Sequence, residues 1–136
     1  MENKYVSKII ANDNEGLQMI SACCASAEVK VKDIKYLKKN KVFLLSLKRS
    51  KLEIKNEYKK INSICKFEFV DGVKSKNIKQ DNPEKKLELI TMDYLKKDEN
   101  FEITLIFDNN AYITLLTEII EITLDDLNKI TEWLKY

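Results

Sequence analysis

The chain has 136 residues, 44% hydrophobic and 34% charged, with 24 Lys or Arg against 22 Asp or Glu and a formal charge of +2. That length suits a single domain, 1–136, burying roughly two thirds of its unfolded surface without a covalent staple, and no apolar run approaches the roughly 20 residues of a membrane helix. With no histidine, Ser-His and Cys-His nucleophile pairs are impossible, and with Gly16 and Gly72 as the only glycines neither a phosphate-binding loop nor a dinucleotide fingerprint can be written.

In chain order, Tyr5–Ile10 reads as a first strand with Tyr5, Ser7 and Ile9 on one face. Asn12 or Asp13 caps a helix running to about Ala25, on which Leu17, Ile20 and Cys24 share a buried face. Val29 and Val31 alternate with Lys30 and Lys32, and the phase shifts across Asp33 so that Ile34 and Tyr36 continue it, which predicts a bulged strand to Leu37. Lys38-Lys39-Asn40-Lys41 is a hairpin turn, and Val42–Leu47 returns as an apolar strand at the sheet centre. A loop with at most one helical turn is expected from Ser50 to Asn62. Ile64–Val70 is a strand, and Asp71-Gly72 signals a type I′ turn into Val73–Ile78. Asn82, held out of the α region by Pro83, sits in a loop. Three strands follow, Leu87–Leu95, Phe101–Phe107 and Ala111–Thr117, the last two joined by Asp108-Asn109-Asn110, residues that tolerate positive φ. Thr123, with Asp125 and Asp126 behind it, announces a closing helix to about Leu134, with Leu127, Ile130 and Leu134 as its buried stripe. The expected fold class is α+β: a curved antiparallel sheet of about seven strands, one early helix and a C-terminal helix, a pleckstrin-homology-like arrangement.

Several of these segments resemble a known family. Lys8-Ile9-Ile10-Ala11, the helix Gly16–Ala22, and Val31–Leu37 are similar to the opening of an uncharacterised alphaproteobacterial family, domain of unknown function 2948. Phe67-Glu68-Phe69-Val70 with Val73–Ile78, and Glu118-Ile119-Ile120-Glu121, resemble its later segments in the same order. The chain departs from the family pattern where Lys74 and Lys76 replace arginines, where Ile119 replaces a cysteine, and where Asp71-Gly72 interrupts an apolar strand. The resemblance implies a bacterial, intracellular protein and carries no activity with it.

Charge is unevenly distributed along the chain. Residues 30–66 hold 13 Lys or Arg against 3 Asp or Glu, whereas residues 67–136 hold 9 against 15. If Lys30, Lys32, Lys35, Lys38, Lys39, Lys41, Lys59 and Lys60 meet on one side of the sheet they form a surface for nucleic acid or another polyanion, with Lys38, Lys39, Lys41, Lys59 and Lys60 as candidate binding residues and Tyr36 and Tyr58 as stacking partners. The competing reading is a solvated lysine face, and Arg49 as the lone arginine counts against sequence-specific base recognition. Catalysis would have to use carboxylates, such as Asp93 with Glu102 or Glu118 with Glu121 facing each other across strands. Ile119-Ile120-Glu121-Ile122 could pair at an open sheet edge with a protein partner or a second copy. Cys23, Cys24 and Cys65, odd in number, read as free thiols. The opening Met1-Glu2-Asn3-Lys4 has no signal-peptide features, so a cytoplasmic location is expected. The leading expectation is a non-catalytic cytoplasmic binding or scaffolding domain with no cofactor, metal or catalytic residue; polyanion binding is the alternative, and a carboxylate-based enzyme comes third.

Overall fold

The computed structural model describes residues 8–50 and 60–127. The chain opens with β1 (Lys8–Ala11) and α1 (Asn14–Cys24), the one α-helix of the described residues. Asp13 caps this helix, its Oδ1 accepting from the Gly16 N–H at 2.8 Å, and Leu17, Ile20, Ser21 and Cys24 form the buried face. Gly16 is required by proximity: a Cβ there would lie 2.7 Å from the Ala11 Cβ and 2.9 Å from its Cα, so the helix start rests directly on the end of β1.

The remaining strands are β2 (Ala27–Lys30), β3 (Ile34–Leu37), β4 (Val42–Ser50), β5 (Lys60–Phe67), β6 (Val70–Lys76), β7 (Lys86–Lys97), β8 (Asn100–Phe107), β9 (Tyr112–Thr117) and β10 (Ile122–Asp126). They form one ten-stranded antiparallel sheet in the order β1-β10-β5-β4-β2-β7-β8-β9-β6, with β3 also on β4. β4 therefore carries two partners along one edge. Leu37↔Val42 through Ile34↔Leu45 pair it with β3, and Glu28↔Lys48 pairs it with β2. A 3-10 turn, Val31–Asp33, separates the two and is the physical form of the phase shift read across Asp33. β2 turns its other edge to β7, from Ala27↔Leu89 to Lys30↔Lys86, so the sheet forks and rolls around its core at this point.

Alternation packs that core. Phe43, Leu45 and Leu47 on β4 face inward opposite Phe67, Cys65 and Ser63 on β5, and the Phe43 and Phe67 rings meet edge to face at 5.9 Å. β7 changes phase at a register shift between Leu89 and Thr91, so Leu87 and Leu89 point inward before it and Met92 after it. The irregularity is tied to the helix: the Met92 N–H donates to Ser21 Oγ at 2.9 Å, and the Ser21 and Thr91 hydroxyls lie 3.2 Å apart. Asn109 and Asn110 take φ of 59° and 58° in the β8–β9 turn, as their chemistry predicts.

Three expectations are overturned. The sheet has ten strands rather than about seven, so the fold is mainly β, with a single helix among the described residues, rather than α+β of pleckstrin-homology type. The closing helix does not start at Thr123: Ile122–Asp126 is a strand held between β1 and β5, with Thr123 opposite Ile10 on one side and Lys66 on the other. Two neighbouring strands outweigh a local capping signal, because inward Ile122 and Leu124 alternate with Thr123 and Asp125. Asp71-Gly72 is not a hairpin turn; it lies within β6 at a register shift, and the chain does not reverse there. β5 runs on into β6 in the same direction through an irregularity at Phe69, whose φ is 59°, with the Glu68 N–H donating to the Glu121 carbonyl and the Phe69 carbonyl accepting from the Glu118 N–H. The loop expected from Ser50 to Asn62 is narrower at both ends, because Ser50 closes β4 and Lys60–Asn62 open β5. Its residues 51–59 with Tyr58, the expected strand start at Tyr5, and the stripe continuing to Ile130 and Leu134 lie outside the described residues.

Candidate functional site: a seam between two strand edges

The rolled sheet does not close completely. β6 is its last strand, and β3 pairs only with β4, so each has an edge beside which no described strand lies. The two banks are fastened at both ends. At one end the Tyr36 hydroxyl donates to the Val70 carbonyl at 2.8 Å, and the Val70 N–H donates to the Lys41 carbonyl at 2.8 Å. Lys41 makes this closure by taking a left-handed φ of 57° at the end of the β3–β4 turn, and its ammonium lies 3.0 Å from the Asp71 carboxylate. The hydrogen bond and the charge of Asp71 raise the Lys41 pKa above its ordinary value.

At the other end the segment 77–85 is strapped across the opening. The N–H groups of Val31 and Lys32 donate to the carbonyls of Lys85 and Pro83 at 3.0 and 2.9 Å, and Asn77 Nδ2 donates to the Asn110 carbonyl at 2.7 Å. Glu84 lies 2.9 Å from the Lys32 ammonium and 3.4 Å from that of Lys30, and these hydrogen bonds, Lys32 first, hold its carboxyl below the usual range.

Between the two fastenings lies a cavity of about 290 Å³. Ile34 and Tyr36 line one bank, Val73 and Ser75 the other, Ile78, Gln80 and Pro83 the strap, and Phe43 and Ile113 belong to the core behind. Inner-face residues of a closed barrel are buried. Here Ile34, Tyr36 and Val73 are half-buried and Ser75 is exposed, while Phe43 and Ile113 behind them are 1% and 2% exposed. A second cavity of about 470 Å³ lies along the same strap and shares Val31 and Ile78.

The lysines singled out from the sequence do not form one group. Lys38, Lys39 and Lys41 sit together and exposed at the β3–β4 turn, beside the fastened end of the seam. Lys60 pairs with Ser50, at the far end of β4 from Val42, roughly 26 Å away at 3.3 Å per residue. Lys59 lies outside the described residues. Lys30 and Lys32 are engaged by Glu84, and Lys35 points outward from β3. The carboxylate pairs are not assembled either. Glu102 stands opposite Leu95, not Asp93, and accepts from Lys97 at 3.3 Å; Glu118 and Glu121 lie in the connection between β9 and β10. Ile119–Ile122 offers no open edge, because Ile120 is buried and Ile122 pairs on both sides. Among the described residues no group of three or more Cys, Asp and Glu is placed to hold a metal ion.

One constellation escaped the sequence reading. Arg49, 3% exposed, donates from Nε to Asp126 Oδ1 at 3.0 Å and from Nη2 to Oδ2 at 2.8 Å, and Ser63 Oγ donates to Oδ1 at 2.6 Å. Burial alone would lower the Arg49 pKa; the bonds and charge of Asp126 outweigh it and hold the guanidinium above its ordinary value. The signal was present, since Phe43, Leu45, Leu47 and Arg49 share one strand face. The pair ties β4 to β10 across the intervening β5.

The fold and the seam define a class: a rolled antiparallel β domain with one helix over its core and a slot where two strand edges fail to meet. More particularly, the chain belongs to the family described as protein of unknown function (DUF2948), whose pattern it matches over residues 7–134. No curated protein and no solved structure matches the chain. Among the described residues no helix is long and apolar enough to cross a membrane.

Proposed function

We propose that this chain is a non-catalytic cytoplasmic binding domain that receives an apolar group of its ligand in the seam between β3 and β6. The observation that carries the reading is the incomplete burial of Ile34, Tyr36, Val73 and Ser75 around an opening onto Phe43 and Ile113. One aromatic side chain buries about 150–250 Å². At about 25 cal/mol/Å² that contributes about 4–6 kcal/mol before the costs of association. The three thiols, all free, support the cytoplasmic part of the reading.

The test uses 1-anilinonaphthalene-8-sulfonate as an apolar probe. Its fluorescence should rise on the folded chain, and Ser75→Trp, which places a large side chain in the slot from an exposed position, should weaken that binding at least tenfold at unchanged melting temperature. Probe binding indifferent to Ser75→Trp would remove the seam as the site. Polyanion binding through Lys38, Lys39, Lys41, Lys59 and Lys60 has less support, because β4 separates the first three from Lys60. Anisotropy with single-stranded RNA and duplex DNA at about 50 and 200 mM salt checks it, since phosphate contacts weaken steeply with salt.

A further inference from the structure

We infer that the ligand of the seam is an extended, acidic peptide segment that adds as a strand to the free edge of β6; this rests on the seam being the binding site. In an antiparallel pair alternate residues turn their N–H and C=O groups away from the partner strand. At Val70 those groups are already taken, by the Lys41 carbonyl and the Tyr36 hydroxyl. Beyond the register shift, Gly72–Lys76 stays paired, among the described residues, to β9 on one side only, and its other edge faces the opening. A compact apolar molecule or an acyl chain would fill the cavity and leave those groups to water. An extended peptide satisfies them and, having a side-chain period of two, sends every second side chain toward Phe43 and Ile113. Five residues of edge span roughly 17 Å, which fixes the recognised segment at about five to seven residues.

The charge of the rims selects the peptide's polar face. Lys35 on β3, Lys74 and Lys76 on β6 and Lys79 in the strap are exposed, and none is within salt-bridge distance of a described carboxylate. No carboxylate among the described residues lines the cavity. Apolar residues alternating with Asp or Glu therefore match slot and rim together. The same lysines disfavour a second copy of this chain as the occupant, because pairing two β6 edges brings Lys74 and Lys76 against their own kind.

The experiment selects phage-displayed random dodecapeptides on the full chain, then measures synthetic versions of the enriched sequences by anisotropy. Expected are apolar residues alternating with Asp or Glu; loss of at least tenfold in affinity on N-methylating alternate peptide amides in one phase, with little effect in the other; and a similar loss in Lys74→Glu/Lys76→Glu at unchanged melting temperature. Peptides without acidic bias, or binding indifferent to N-methylation in both phases, overturn strand addition. If no peptide is enriched while palmitate displaces the fluorescent probe from the wild-type chain but Ser75→Trp binds neither, the seam reading stands and the peptide inference is overturned. If enriched peptides bind wild type and Ser75→Trp alike, both are overturned.

Discussion

Asp126→Asn should be among the most damaging conservative substitutions in this protein. The change keeps the shape of the side chain and leaves Oδ1 available to Ser63, but removes the charge opposite a guanidinium that is 3% exposed and bonded to it at 3.0 and 2.8 Å. Breaking a buried ion pair by neutralising one partner costs about 3–5 kcal/mol, a large part of the roughly 5–15 kcal/mol that stabilises an ordinary domain. Unfolding entropy of about 2.1 cal/mol/K per residue gives about 0.29 kcal/mol/K for a chain of this length, so the melting temperature should fall by roughly 10–17 °C. The triple variant Arg49→Met/Ser63→Ala/Asp126→Leu removes charge and hydroxyl together and should return to within about 2 kcal/mol of wild type, since a well-packed apolar replacement of a buried pair is often neutral. Thermal and urea unfolding of the single, double and triple variants, combined as a mutant cycle, measure the coupling directly. A fall of less than about 3 °C for Asp126→Asn, or a triple variant no more stable than the single, would refute the argument that an uncompensated buried charge sets the cost.

The two glycines should behave oppositely: Gly16→Ala drives a methyl into Ala11 and should cost about 1–3 kcal/mol, whereas Gly72→Ala meets nothing within 4 Å and should be neutral or slightly stabilising, both read from urea midpoints. Tyr36→Phe removes the hydroxyl that fastens the seam at Val70 and should cost about 0.5–1.5 kcal/mol, with faster hydrogen exchange along β6. Burial pushes the Cys24 thiol from 9.0 up to about 12 and raises that of Cys65 in the same direction, so at neutral pH Ellman's reagent should titrate at most Cys23 in the folded chain and all three thiols in denaturant. Because the unfolded chain releases these protons near pH 9 and the folded chain does not, stability should fall as pH rises from about 9 toward 12, and Cys24→Ala should flatten that slope.

Where alternation and turn chemistry act locally, the fold was legible. Asp13 caps the helix, Leu17, Ile20 and Cys24 are fully buried, and the Asp108–Asn110 hairpin falls where its residue types place it. The errors come from positions at which a distant strand decides. Thr123 to Asp126 has a helix-start composition, yet β1 and β5 flank it, and the inward turn of Asp126 becomes sensible only once Arg49 is placed 77 residues earlier in the chain. Asp71-Gly72 looks like a turn because most such dipeptides are; here the chain continues from β5 into β6 without reversing, and Val70 is pinned by Tyr36 and Lys41. The seam was not legible at all. Ile34 and Tyr36 read as an alternating strand face, with Tyr36 as a stacking candidate, and Val73 and Ser75 only as part of the strand Val73–Ile78; only the failure of two edges to pair makes the four a site.

The position of β10 between β1 and β5 has a consequence for how the protein is made. Synthesis proceeds from the N-terminus, so β1 waits without a strand partner, and β5 without one along one edge, until Ile122–Asp126 has left the ribosome. Arg49, drawn inward by its neighbours on β4, likewise waits for the carboxylate of Asp126. The sheet therefore cannot be completed piece by piece during translation, and a prematurely ended chain exposes an unpaired strand edge together with an unmatched charge, the combination that quality-control proteases and chaperones encounter in incomplete β proteins.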